Sequence, residues 1–130
     1  MSQSQYTVGV IRDFVAQHFL FGGDWGRENQ LHSHHYKMEV IFAGPRLDQH
    51  GYLLDIAVVK EHLDRLVDRY RDKTLNDLPE LAGQNPGLEP FARVLCEGMV
   101  RALEPRNLTA LTIKLWENEE AFATYTVTFS

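Results

Sequence analysis

At 130 residues the chain has the length of one domain, so residues 1–130 are expected to fold as a single unit around one core rather than two. Hydrophobic residues make up 44% and charged residues 24%, enough apolar material to exclude a disordered composition. The formal charge of -5 excludes non-specific nucleic-acid binding, which needs clustered cations to neutralise phosphates, while leaving room for a local basic pocket.

From Tyr6 to Phe21, apolar or aromatic residues fall on alternating positions through Tyr6, Val8, Val10, Phe14, Ala16, His18 and Leu20, the period of a strand with one buried face. Gly22-Gly23-Asp24 ends it, and a loop runs to about Gln30. Leu31–Ala43, rich in His, Tyr, Val, Ile and Phe, reads as the second strand of a long hairpin, stopped by Gly44-Pro45. After the turn-rich stretch from Leu47 to Gly51, Asp55 is placed to cap a helix whose apolar stripe is Ile56, Val59, Leu63, Leu66, Val67 and Tyr70. A loop containing Pro79, Gly83, Pro86 and Gly87 leads to a second helical pattern through Phe91, Ala92, Leu95, Met99, Ala102 and Leu103, which Pro105 should end. Leu108–Trp116 and Ala121–Phe129, parted by Asn118-Glu119-Glu120, form a second hairpin. The expected order is ββααββ, an α+β domain with a four-stranded antiparallel sheet and two helices on one face. Such a sheet has two free edges, which favour homo-oligomerisation.

Cys96 is the only cysteine, so no intrachain disulfide can form, and this suits a reducing compartment. The first residues lack the features of a signal peptide, and no apolar run reaches the roughly 18 residues of a membrane helix, so a soluble cytoplasmic protein without membrane partners is expected.

His32 and His34 lie two apart, so on a strand they project from one face roughly 7 Å apart and can share an ion. Hairpin pairing can bring His18 beside them, giving three imidazoles with a fourth position open, the arrangement of a catalytic zinc. The alternative is that six histidines in this length produce a His-x-His by chance, with solvated or hydrogen-bonded rings. His35 should face the other side of the strand, and solvated or structural roles are expected for it and for His50 and His62.

Three stretches, Phe14-Val-Ala-Gln-His18, Leu31-His32-Ser33-His34 and Gly51-Tyr-Leu-Leu-Asp55, resemble the 6-pyruvoyltetrahydropterin synthase and 6-carboxytetrahydropterin synthase family. The resemblance continues through Leu75-Asn76-Asp77, Asn85-Pro86-Gly87-Leu88-Glu89-Pro90-Phe91-Ala92 and Leu115-Trp116-Glu117, in the family's order. It implies a tunnelling fold, in which trimers close their sheets into a barrel and two trimers stack into a hexamer with active sites at subunit boundaries. It also implies that His18, His32 and His34 bind zinc and that Glu117 anchors a reduced pterin, a carboxylate being able to accept two parallel bonds from an aminopyrimidinone edge. Glu89 is a candidate substrate contact, and equally an acid favoured by the start of a helix. Glu117 could likewise be an exposed strand-end acid.

The sequence departs from the family at its catalytic set. The usual Cys lies four residues before the first His of His-x-His, and Glu28 stands there. Arg71 and Asp72 take the places of the usual Asp-His pair, and Cys96 substitutes for neither role but reads as packing. A similar subgroup of the family, also with Glu for Cys, cleaves the dihydroneopterin side chain by retro-aldol chemistry to 6-hydroxymethyl-dihydropterin. Glu28 as base and a zinc ion as electrophile suit that reaction. If Asp72 faces Glu28, like charges would raise one carboxyl's pKa; if Arg71 does, Glu28 stays ionised or a phosphate tail is bound; if neither does, Arg71-Asp72-Lys73 is a solvated helix end. Two other functions fit: a pterin-binding homologue with a different reaction or none, and a structural or regulatory oligomer whose histidines hold no metal.

Overall fold

The computed structural model describes residues 2–103 and 107–130. Strands β1 (Tyr6–His18) and β2 (His32–Gly44) form the long hairpin, helices α1 (Ile56–Tyr70) and α2 (Leu88–Leu103) follow, and β3 (Ala110–Trp116) and β4 (Phe122–Thr128) form the short one. The sheet is antiparallel throughout in the order β1-β2-β3-β4. Pro105, expected to stop α2, lies outside the described residues.

Alternation decides which residues face the helices. Val10, Phe14, Ala16 and His18 on β1, and Tyr36, Met38, Val40 and Phe42 on β2, are buried, while their neighbours Ile11, Asp13 and Lys37 are exposed. Leu111, Ile113 and Leu115 of β3 continue the same face. Arg12 interrupts the apolar series, and its Nε reaches Asp64 on α1 at 2.7 Å, so its charge is paired where the sheet meets the helix.

Asp55 caps α1 as expected, its side chain accepting the Ala57 backbone N–H. Val59, Leu63, Val67 and Tyr70 are the buried stripe; Ile56 is exposed, because one residue inside the cap it points away from the sheet, and Leu66 is only partly buried. Leu66 lies against Gly98 of α2, where a Cβ would meet its Cδ1 at 2.9 Å, so glycine permits the close approach of the two helices. On α2 the buried residues are Phe91, Ala92, Val94, Leu95, Cys96 and Met99; Ala102 is exposed. Cys96 is packed in the core with its Sγ 3.6 Å from the Leu111 carbonyl oxygen, in keeping with a packing role.

The largest difference from expectation is at the end of β1. The alternation runs on to Leu20, but the strand ends at His18. Phe19 and Phe21 instead pair with asparagine side chains: Asn76 accepts the Phe19 N–H at 3.0 Å and donates to the Phe19 carbonyl at 2.9 Å, and Asn85 does the same for Phe21 at 2.8 and 3.0 Å. Each amide imitates one rung of a ladder, satisfying backbone groups that leave the sheet.

Candidate metal centre

The register of the long hairpin creates the site. His18 lies opposite His32, and His34 lies opposite Ala16, so all three imidazoles emerge on the helix-facing side within two rungs. Their ring centroids form a triangle with sides of 4.5, 4.9 and 4.9 Å, each pair steeply inclined. Glu28, in a single 3-10 turn (Gly26–Asn29) between the two strands, closes the group. One ligand-type atom from each of His18, Glu28, His32 and His34 falls within 4.8 Å of the others.

Backbone carbonyls fix which ring nitrogens face inward. His18 Nδ1 lies 2.7 Å from the Pro86 carbonyl oxygen and His32 Nδ1 lies 2.8 Å from that of Gln30. A carbonyl only accepts, so each Nδ1 carries a proton there and Nε2 is the nitrogen turned toward the centre. Burial is the main cause holding the His18 pKa below the usual histidine value, opposed by the Pro86 carbonyl and the Glu28 charge and reinforced by His32 and His34. The Nε2 atoms of His18, His32 and His34 are buried and none has a hydrogen-bond partner. Three convergent buried ring nitrogens without partners are costly unless a cation takes them up, and this donor set fits a divalent metal such as zinc.

The loop carrying Glu28 is tied down by Asn29, whose Nδ2 donates to the Leu20 and Gly23 carbonyls while its Oδ1 accepts the Trp25 N–H. The Leu20 N–H in turn donates to the Glu28 carbonyl at 2.9 Å. Behind the histidines, Tyr36 stands 5.6 Å from the His34 ring and packs on Phe14 and Phe91. Burial, with lesser contributions from the Glu117 and Glu28 charges, raises the Tyr36 phenol far above its usual pKa.

The other candidates from the sequence are distributed differently. Glu117 is half-buried at the tip of the short hairpin and lines a groove of about 880 Å³ together with Ser33, His34 and Trp116. Glu89 is exposed in the first turn of α2. Arg71 is the residue after α1, with Nη1 2.7 Å from Asp68, and it pairs with that helix rather than with Glu28. Asp72 adopts a left-handed conformation (φ 61°) and its N–H donates to Val15 on the β1 edge; neither residue is part of the His-Glu cluster. His35 is exposed and 3.0 Å from Asp13, and His50 is exposed. The Pro86 and Gln30 carbonyls and the Asn29 tether were not identified from sequence, since contacts made by backbone oxygens leave no residue-type signature; Asn76 and Asn85 were visible only as motif positions.

No helix among the described residues is long and apolar enough to cross a membrane. The model of the 6-pyruvoyl tetrahydropterin synthase family matches residues 7–127. No curated protein matches. Among solved structures, a Caenorhabditis elegans 6-pyruvoyl tetrahydropterin synthase superposes with a TM-score of 0.83 at 20% identity, over 98% of this chain and 99% of its own. A Plasmodium vivax 6-pyruvoyltetrahydropterin synthase in which a catalytic glutamate is replaced by alanine gives 0.81 at 13% identity, over 98% and 100%. A dihydroneopterin aldolase from Burkholderia thailendensis bound to guanine gives 0.51 at 8% identity, over 97% and 93%. The likenesses establish a shared tunnelling fold, and with the family match running from the first strand to the last, this chain belongs to the 6-pyruvoyl tetrahydropterin synthase family.

Proposed function

We propose that this protein is a zinc-dependent pterin lyase that cleaves the side chain of 7,8-dihydroneopterin, or its triphosphate, to 6-hydroxymethyl-dihydropterin. The observation that carries the reading is the convergence of Glu28 with three unpartnered imidazole nitrogens, in a chain without the family's Cys. His18, His32 and His34 would hold the ion, which when bound supplies electrophilic stabilisation of the oxygen charge that develops on the side chain. Glu28 removes the proton of the 2′ hydroxyl; the C1′–C2′ bond breaks to release an aldehyde, and its electron pair enters the conjugated C6=N5 imine of the ring. Protonation at C1′ then completes the 6-hydroxymethyl product. A catalytic glutamate in the Plasmodium vivax relative supports a carboxylate in this role.

Glu117 is proposed to receive the N–H edge of the pterin, and the guanine bound by the dihydroneopterin aldolase is a ring with that same edge. The step as written requires no group from Glu89, Arg71 or Asp72. Residues 1–130 are treated as one functional unit, acting in the cytoplasm as a dimer of trimers. The outer edge of β4, and that of β1 before Val15, have no strand partner among the described residues, which supports closure of several sheets into a barrel.

The test is incubation of zinc-loaded protein with 7,8-dihydroneopterin and, separately, its triphosphate, followed by chromatography of the oxidised pterins. A 6-hydroxymethylpterin peak that disappears in Glu28→Ala is expected. Pterin bound without turnover of either compound would refute the lyase and leave the second reading, a pterin-binding homologue. That reading is favoured by the Arg71–Asp68 pairing, which removes Arg71 from any proton relay within the chain.

A further inference from the structure

Glu28 stands closer to the histidines than a base acting on a substrate hydroxyl requires. Its Oε2 is 2.9 Å from His32 Nε2, while the other ring nitrogen of His32 is taken by the Gln30 carbonyl. The two atoms are close but not aligned as a hydrogen bond, since His32 Nε2 has no partner in hydrogen-bond geometry. A metal ion accepts such an arrangement, because its donors need to aim at the ion and not at each other. Donors at about 2.0–2.2 Å from a tetrahedral ion stand roughly 3.3–3.6 Å apart, so the Glu28–His32 pair needs to open by only about 0.4–0.7 Å to seat one, and all four candidate atoms already lie within 4.8 Å of one another.

We infer that Glu28 is a fourth, displaceable metal ligand, which closes the coordination shell in the resting protein and leaves it when a substrate hydroxyl enters. The inference rests on the metal-dependent reading above and adds a second task for the same carboxylate. The two tasks are compatible in sequence: on leaving the ion, the carboxylate is unpaired beside the incoming hydroxyl and free to accept its proton. The loop is built for small excursions of the side chain with the backbone held. Asn29, the neighbour in chain, anchors it to the Leu20 and Gly23 carbonyls, and Asn85 fastens Phe21 at the other end, while the Glu28 side chain is half-exposed.

The experiment compares wild type with Glu28→Gln and Glu28→Asp by zinc competition against a chromophoric chelator and by the visible spectrum of the cobalt(II)-loaded proteins. Circular dichroism of the metal-free proteins checks that each variant is folded. Loss of the charged donor should weaken zinc binding at least tenfold in Glu28→Gln, with Glu28→Asp between the two. The wild-type cobalt bands should change on adding 7,8-dihydroneopterin, and those of Glu28→Gln should already differ from wild type without it. Equal zinc affinity within about twofold in wild type and Glu28→Gln overturns the ligand assignment. A wild-type cobalt spectrum indifferent to bound dihydropterin overturns the displacement. Weakened binding and a responsive spectrum without any 6-hydroxymethyl product would refute the lyase alone and leave Glu28 as a ligand.

Discussion

Replacing Asn76 isolates the part of the fold that delivers the chain from His18 to the Glu28 loop. Its amide makes two bonds to one residue, accepting the Phe19 N–H at 3.0 Å and donating to the Phe19 carbonyl at 2.9 Å, in a partly buried setting. Asn76→Ala removes both and leaves a donor and an acceptor to find water, a loss of about 2–3 kcal/mol. With an unfolding entropy of about 2.1 cal/mol/K per residue, 130 residues lose about 3.7 °C of Tm per kcal/mol, so a fall of about 7–11 °C is expected in a thermal melt followed by circular dichroism. Asn76→Asp keeps the acceptor and turns the donor into a second oxygen facing the Phe19 carbonyl. Only the protonated acid can restore that bond, so its pKa is raised on folding. The benefit is present below the ordinary carboxylate range and lost as pH rises through the folded value. Asn76→Asp should therefore be as damaging as Asn76→Ala at pH 7 and less damaging near pH 4. A fall in Tm below 2 °C for Asn76→Ala, or an aspartate variant equal to wild type at pH 7, would refute the two-point clamp.

Two further outcomes follow from charged and buried groups elsewhere. Glu80 accepts two bonds from Arg69 and one from the Tyr70 hydroxyl, and the Arg69 bonds are the main cause holding its pKa down to about 2. Its contribution is present above about 4.5 and lost as pH falls toward 2; after allowance for solvent screening it is about 1–2 kcal/mol. Urea unfolding should thus show wild type more stable than Glu80→Gln at pH 6–7 and the difference closing below pH 3; a gap independent of pH contradicts this. Cys96 is buried, and burial pushes its thiol up to about 11. An aromatic disulfide reagent at pH 8 should react with it no faster than the chain unfolds, and at once in 6 M guanidinium; rapid labelling of the native protein would show that α2 is not packed as described.

How far the sequence could be read depended on whether a property was periodic. Alternation located the three histidines on one face, and three-and-four spacing located Val59, Leu63, Val67 and Tyr70, because burial on one side of a regular element leaves a period. The same rule overran β1, since Leu20 keeps the alternation although its neighbours bond to Asn76 and Asn85, more than fifty residues away in the chain. Glu28 could be singled out only by resemblance, as one acid in an irregular loop. That it reaches the histidines depends on Asn29 gathering carbonyls from Leu20 and Gly23, which no spacing encodes. Arg71 and Asp72 were given positions by the motif, whereas their contacts follow from where α1 ends and the chain turns along the β1 edge.

The two hairpins differ in length, and the difference has a consequence for how the protein opens. β3 pairs with β2 only from Lys37 to Ala43, whereas β1 follows β2 down to His32. The histidines therefore occupy an extension of the long hairpin beyond the four-stranded part, held by the β1–β2 ladder, by the bonds that Val15 and Gln17 make to Asp72 and Lys73, and by the asparagine amides. Such an extension can fray from its open end while Phe42, Leu63 and Leu95 remain packed, because β2 has no strand on its other side before Lys37. The centre is in this sense a segment of its own, and an ion held by its donors would lend it a rigidity that the core's stability does not guarantee.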